Sequence, residues 1–198
     1  PVNRERVAAG KLPATGVITR GAGAYFRVDN MLEERSIAAA MVAGCNTVSG
    51  LAKTFGLDTI GSAAFTAGID TDVEGKLVAA RQALDRFSMV FVHIKAPDLF
   101  SHDFQPGAKK AFIERVDRAL VEWVGSDAVI VLAADHTTDS NSGAHTEDPV
   151  PVLIYDPQAP RGGEVINFGE YACRDGNLPR QTGHELLLRV LARLQSSS

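Results

Sequence analysis

The sequence has few cysteines, no excess of basic residues and no long apolar run. Two cysteines in 198 residues are too few for a disulfide scaffold and fit a reducing cytoplasm. The 20 Lys and Arg residues against 24 Asp and Glu residues give a net charge of −4, which argues against general nucleic-acid binding. No apolar run approaches the length of a membrane span, and the first residues do not form a signal peptide. We therefore expect a cytoplasmic protein with neither a nucleic-acid nor a membrane partner.

The length and the hydrophobic content fit one globular domain. With 45% hydrophobic and 22% charged residues, the chain can bury a sizeable core without disulfides or structural metals. The sequence begins with Pro1 rather than Met. We therefore expect it to start within a longer protein.

Strand and helix patterns alternate along the chain. Two continuous apolar runs, 89–94 and 128–133, predict strands that are buried on both faces of a sheet. The alternation predicts a three-layer α/β/α fold with a mainly parallel sheet and helices on both faces. The other predicted strands are 16–20, 36–42, 58–60 and 150–155, and the predicted helices are 47–55, 73–87, 106–124 and 182–194.

Polar segments follow the two buried strands, and we expect both segments, 95–105 and 135–148, to be loops. Because ligands bind beyond the carboxyl ends of parallel strands, side chains in these loops are candidates for a site. Carboxylates and imidazoles are ligands of Zn²⁺, Mn²⁺ and related ions, and five of them exceed the three protein ligands of a catalytic zinc. The set suits two adjacent ions instead, while helix or turn capping is the structural alternative for each Asp. The five are Asp98, His102, Asp135, His136 and His145.

Several collinear segments carry a family resemblance. They include AGCNTVSGLAKTFGLDTI (43–60), AGIDTDVEGK (67–76), FVHIKAPDLFSHD (91–103), AADHTT (133–138) and HTEDPVPVLIY (145–155). Together they resemble the archaeal-type, cofactor-independent phosphoglycerate mutases of the alkaline phosphatase superfamily of metalloenzymes. The resemblance implies part of an alkaline phosphatase-like core. It also implies a phosphoryl-transfer enzyme that interconverts 3-phosphoglycerate and 2-phosphoglycerate.

The resemblance divides the candidate ligands between two divalent ions. Asp98, His102 and His145 would bind one ion, and Asp135 and His136 the other. Mn²⁺ or Zn²⁺ is favoured, with Mg²⁺ and Co²⁺ as the alternatives, and the substrate would be a small phosphorylated carboxylic acid.

Two basic residues are candidate contacts for the anionic substrate. Arg20 precedes Gly21 and Gly23, which would let the backbone approach an anion. Lys95 lies in the first ligand loop and could meet a phosphate. The structural alternatives are an exposed arginine in a glycine-rich turn and a solvated lysine.

The sequence also departs from the family pattern. Ser101 stands where the family has glycine, Pro97 precedes Asp98, and Ala134 precedes the second Asp-His pair. The family's N-terminal strand with a metal-binding Asp, and the Ser or Thr nucleophile after it, have no counterpart here. The resemblance therefore implies that residues 1–30 end an inserted cap region or linker, that 31–198 form the C-terminal part of the core domain, and that the nucleophile lies upstream of Pro1.

Two other functions remain open at the level of the sequence. One is a phosphatase or a phosphonopyruvate decarboxylase-like enzyme of the same superfamily. The other, suggested by the unmatched nucleophile, is a non-catalytic metal-binding module or fragment.

Overall fold

The computed structural model describes residues 1–19, 21–24, 28–30, 32–159 and 167–196. Its strands are β1 (Ala39–Val42), β2 (Asp58–Ile60), β3 (Met89–Val92), β4 (Ile130–Ala133), β5 (Thr137–Thr138), β6 (His145–Thr146) and β7 (Val152–Tyr155). Its helices are α1 (Val2–Ala8), α2 (Asn46–Thr54), α3 (Val73–Ala83), α4 (Ala96–His102), α5 (Pro106–Leu120), α6 (Glu170–Arg174) and α7 (Gly183–Ser196).

The first three strands form a parallel sheet in the order β2-β1-β3. Each connection within it contains a helix, α2 or α3, because parallel neighbours require a crossover. The central strand β1 is the most buried, with Ala40 and Val42 fully inaccessible. This sheet and its helices confirm the predicted mixed α/β class.

The fourth and seventh strands pair separately and antiparallel, with Ile130 opposite Tyr155. The described chain between them contains only the short antiparallel ladder of β5 and β6 and no helix for a crossover. Antiparallel pairing is the geometry that such a connection allows. The parallel arrangement therefore belongs to the first sheet alone among the described strands.

Several local predictions were wrong. The apolar runs 89–94 and 128–133 are partly exposed rather than buried on both faces, and the predicted loop 135–148 contains the short strands β5 and β6. Residues 16–19 are neither strand nor helix, and the segment predicted as a loop after β3 contains helix α4. Pro97 lies in the first turn of α4, where a missing N–H group removes no helical hydrogen bond. Pro97 therefore favours the start of a helix within the segment that we expected to be a loop.

Helix α4 rests on the main hydrophobic core. Val73 and Leu77 of α3, Ala96 of α4 and Phe112 of α5 form one buried cluster, and the rings of Phe100 and Phe112 lie 5.9 Å apart. Burying a side chain of this size contributes about 1.5–3 kcal/mol relative to leaving it exposed. The packing fixes the helix that follows β3, and with it the side chains on its outer face.

The two larger sheets are not joined to one another in the described part of the chain, since no backbone hydrogen bond links β3 to β4. The chain exposes 13985 Å² of surface, whereas a folded monomer of 21.1 kDa exposes about 9,000 Å². Among the described helices, none is long and apolar enough to cross a membrane.

Candidate metal centre

Helix α4 presents two candidate ligands on one face. Asp98 and His102 are four residues apart, so their side chains lie one above the other on the helix surface. Nε2 of His102 lies 3.2 Å from Oδ1 of Asp98. The D-x-x-x-H spacing in the sequence is therefore a helical spacing.

The segment after β4 brings the other imidazoles to the same place. Thr138 of β5 pairs with His145 of β6, which folds the chain back so that both face α4. The ring centroids of His136 and His145 lie 3.9 Å apart, with the rings tilted by 33°, and those of His102 and His145 lie 5.1 Å apart. Ligand candidates from helix α4 and from the segment after β4 thus lie at one place.

Three ligand atoms form a nearly equilateral triangle. Oδ1 of Asp98 lies 3.2 Å from Nε2 of His102 and 3.3 Å from Nε2 of His145, and the two nitrogens are 3.2 Å apart. Ligand atoms held about 2.0–2.1 Å from one tetrahedral ion are about 3.3–3.4 Å apart. The triangle therefore has the dimensions of one face of a metal coordination tetrahedron.

The carboxylate of Asp98 is held in its ionised form. Its side chain is only 15% exposed, and this burial raises the pKa of Asp98. Hydrogen bonds from Nζ of Lys95 and Oγ1 of Thr138, each 2.7 Å long, lower the pKa by more. The net result is a pKa well below the usual range of a carboxyl, so the group is a ready anionic ligand.

Hydrogen bonds orient two of the imidazoles. Nδ1 of His102 lies 2.7 Å from the carbonyl oxygen of Gly143, which can only accept, so this nitrogen carries the proton. The Thr138 hydroxyl uses its proton on Asp98 and can only accept from Nδ1 of His136, 3.3 Å away. These contacts select the neutral tautomer in which Nε2 is unprotonated, the form that a metal ligand requires.

A second group of ligand atoms overlaps with the first. Asp98, His136 and His145 each offer one atom within 4.8 Å of the others. Asp135 is 83% exposed, and its Oδ2 lies 3.4 Å from Nε2 of His136. The five residues therefore lie in one continuous cluster, in which His136 links Asp135 to the triangle, and their division between two ions stays a prediction.

The donor set fits divalent ions. Carboxylate oxygens and neutral imidazole nitrogens are ligands of Zn²⁺ and Mn²⁺, and the triangle already has the required spacing. His102 and His145 are 42% and 52% exposed, so the cluster opens to solvent on the side of the imidazoles. A substrate could therefore reach it.

Of the two predicted substrate contacts, Lys95 and Arg20, only Lys95 lies within the described residues. Nζ of Lys95 makes an ion pair with Asp98, and the lysine side chain is 37% exposed. Lys95 therefore lies at the site, and its contact with substrate stays a prediction. Arg20 lies outside the described residues.

Sequence reasoning missed the residues that support the ligands. Thr138 is 4% exposed and contacts both Asp98 and His136, yet a threonine next to an Asp-His pair carries no distinctive signal. Gly143 was detectable only as a glycine in a polar loop. Its φ is +66°, and a Cβ there would lie 3.2 Å from the ring of Phe104. The position therefore favours glycine.

The end of β3 is anchored by a buried lysine. Lys76 of α3 is 1% exposed, and its Nζ donates to the carbonyl oxygens of Thr66 and His93, at 3.0 and 3.2 Å. Burial lowers the pKa of this ammonium, and the nearby Asp72 opposes the shift. The contact ties α3 to the chain that enters α4. It was not foreseen, because a lysine within a helix is ordinarily exposed.

Comparison with known proteins places the chain in a family. A family model described as the metalloenzyme superfamily matches residues 2–189. The chain belongs to the metalloenzyme superfamily. Membership confirms the predicted resemblance at this level and implies divalent metal ions at the site, without identifying the metal.

Several curated proteins from archaea match this chain. The chain is 38% identical, over 97% of its length, to a 2,3-bisphosphoglycerate-independent phosphoglycerate mutase of Methanopyrus kandleri, covering 47% of that protein. The chain is 35% identical to a 2,3-bisphosphoglycerate-independent phosphoglycerate mutase of Archaeoglobus fulgidus, and the match covers 94% of this chain and 46% of the length of that mutase. This metalloenzyme chain therefore spans about half the length of the relatives it matches.

Solved structures share the fold. The structure of a protein from Pyrococcus horikoshii matches the whole of this chain over 53% of the length of that protein, with a TM-score of 0.85 and 30% identity. The cofactor-independent phosphoglycerate mutase of Thermoplasma acidophilum matches 98% of this chain and 46% of its own, with a TM-score of 0.66 and 25% identity. These superfamily members confirm the predicted alkaline phosphatase-like class.

Proposed function

We propose that this chain supplies the metal-binding half of a two-metal phosphoryl-transfer enzyme that interconverts phosphoglycerates. The observation that carries the proposal is the triangle of Asp98, His102 and His145, with edges of 3.2–3.3 Å. The names of the relatives supply the substrate class, a small phosphorylated carboxylic acid. A glycolytic role in the cytoplasm follows from that class and from the composition.

Each ligand has a separate part in the proposal. Asp98, His102 and His145 hold one ion, and Asp135 and His136 hold the other. When bound, divalent ions act as Lewis acids toward the oxygens of a phosphoryl group. Mn²⁺ and Zn²⁺ suit the mixed oxygen and nitrogen ligands best.

The chain's own residues prepare the site for an anionic substrate. Lys95 uses one of its three ammonium protons on Asp98, at 2.7 Å, and its side chain is more than one-third exposed. The remaining donors can therefore bind a phosphate or carboxylate oxygen beside the ligands. Arg20 is proposed as a second contact with the same substrate.

Catalysis by this site requires further polypeptide. The surface of 13985 Å² and the two unjoined sheets support packing against the rest of a longer enzyme. In this proposal residues 1–30 end the cap region or linker, residues 31–198 belong to the core, and the nucleophile lies in the other half.

Metal binding is the first test. Titration calorimetry of the chain with Mn²⁺ or Zn²⁺ is expected to show binding, which Asp98→Ala should weaken by at least tenfold. Asp103→Ala is the matched control, because Asp103 follows α4 directly but its side chain makes no hydrogen bond or ion pair with a cluster ligand in the described structure. Absence of binding by the unmodified chain would refute the metal centre.

Turnover is the second test and needs the longer protein. The chain joined to the other half of a relative is expected to interconvert 3-phosphoglycerate and 2-phosphoglycerate, and to lose this activity in Asp98→Ala. Release of free phosphate without isomerisation would favour a phosphatase instead. Metal binding without turnover on any phosphoester would favour a non-catalytic metal-binding module.

A further inference from the structure

Two serine hydroxyls join the segments that carry the ligands. Ser101 of α4 is fully buried, and its Oγ donates to the carbonyl oxygen of Pro97 at 3.2 Å. The Oγ of Ser140 donates to the Oγ of Ser101 at 3.1 Å. Because each hydroxyl has one proton, both protons are used in this chain of hydrogen bonds.

The serine pair lies between ligands on both sides. Ser101 sits within the helical turn that separates Asp98 from His102, and Ser140 lies between Thr138 and His145. Neither serine has a hydrogen bond to a ligand atom in the described structure. The two serines can therefore affect metal binding only by fixing the position of α4 relative to residues 137–146, the returning segment that contains β5 and β6.

We propose that Ser101 and Ser140 are positioning residues that hold the two ligand segments at the spacing of the triangle and so raise metal affinity. The inference rests on the proposed metal site and adds residues to it. Ligands that are already oriented before the ion arrives lose less freedom on binding. A buried hydrogen bond between the segments supplies this order in the metal-free protein.

The test compares Ser101→Ala, Ser140→Ala and the double variant by titration calorimetry with Zn²⁺. Each single variant is expected to bind about threefold to tenfold more weakly, the range of one hydrogen bond. The double variant is expected to match the weaker single variant, because both remove the same bond. Ser142→Ala is the matched control, since Ser142 donates to Asp139 within its own loop at 2.7 Å.

A spectroscopic readout separates positioning from general destabilisation. With Co²⁺ in place of Zn²⁺, the visible absorption reports coordination geometry, and the two serine variants are expected to change its intensity while Ser142→Ala does not. Thermal unfolding of the metal-free proteins checks that all variants fold. If Ser101→Ala does not fold, Ser140→Ala alone tests the proposal, because Ser140 is only half-buried.

The outcomes distinguish this inference from the proposed function. Unchanged affinity and spectra in the serine variants, or an equal loss in Ser142→Ala, would overturn the positioning role alone. Additive losses in the double variant would also overturn it. Absence of metal binding by the unmodified chain would overturn both proposals.

Discussion

Removing the hydroxyl of Thr138 should weaken metal binding without removing any ligand. The Thr138→Val substitution keeps the branched shape of a side chain that is 4% exposed, but it deletes the 2.7 Å hydrogen bond to Oδ1 of Asp98. Loss of such a partner of a metal ligand typically costs 10- to 100-fold in affinity. This range corresponds to about 1.4–2.7 kcal/mol of binding free energy at 25 °C.

The measurement is titration calorimetry with Zn²⁺ on the folded, metal-free chain. Thr138→Ser keeps the hydroxyl and is expected to restore most of the affinity. Thr137→Val is the matched control, because Thr137 lies in the same short strand and donates no hydrogen bond to Asp98 in the described structure. An affinity for Thr138→Val within twofold of the unmodified chain would refute the view that this hydroxyl orients Asp98.

Two further predictions concern stability without metal. Gly143→Ala should lower the free energy of unfolding in urea by at least about 1 kcal/mol, because the φ of Gly143 is +66° and the new Cβ would lie 3.2 Å from Phe104. Gly107→Ala in α5 is the control, since a Cβ there has no atom within 4 Å and should not destabilise the fold. The hydrogen bond from Arg115 lowers the pKa of Glu74. This exposed ion pair therefore stabilises the folded protein above pH about 4.3, the pKa of an unperturbed Glu, and the stabilisation is lost as the pH falls through the lowered pKa of Glu74. Glu74→Gln should therefore remove less than about 1 kcal/mol at pH 6, measured by thermal unfolding, and nothing at pH 2.

The sequence predicted the strands that position the site better than the loops between them. The apolar runs predicted β3 and β4, and the polar residues after each run predicted which side chains would meet. Helix α4 was missed because the segment is short and polar, and because Pro97 was taken as a loop residue. The spacing of Asp98 and His102 carried the helical signal instead.

The supporting contacts were beyond sequence reasoning for a physical reason. Thr138, Ser101 and Ser140 act through hydrogen bonds to residues about 40 positions away, such as the contact between Thr138 and Asp98. Such pairings depend on how α4 packs against the returning segment, and single residue types do not encode them. The antiparallel pairing of β4 with β7 was accessible in principle, since no helical pattern lies between the two strands.

Metal binding and catalysis should be separable in this protein. Besides the contacts among the ligand atoms themselves, three side-chain hydrogen bonds within the described chain join α4 to the returning segment: Thr138 with Asp98, His102 with the carbonyl of Gly143, and Ser140 with Ser101. None of these three hydrogen bonds involves β3 or β4, which are not paired with one another in the described structure. The triangle of ligands therefore depends on local hydrogen bonds and on the packing of α4, both present in this chain. In the proposed function the nucleophile and the remaining sheet contacts belong to the other half of a longer enzyme, so we expect the chain alone to bind metal without turnover.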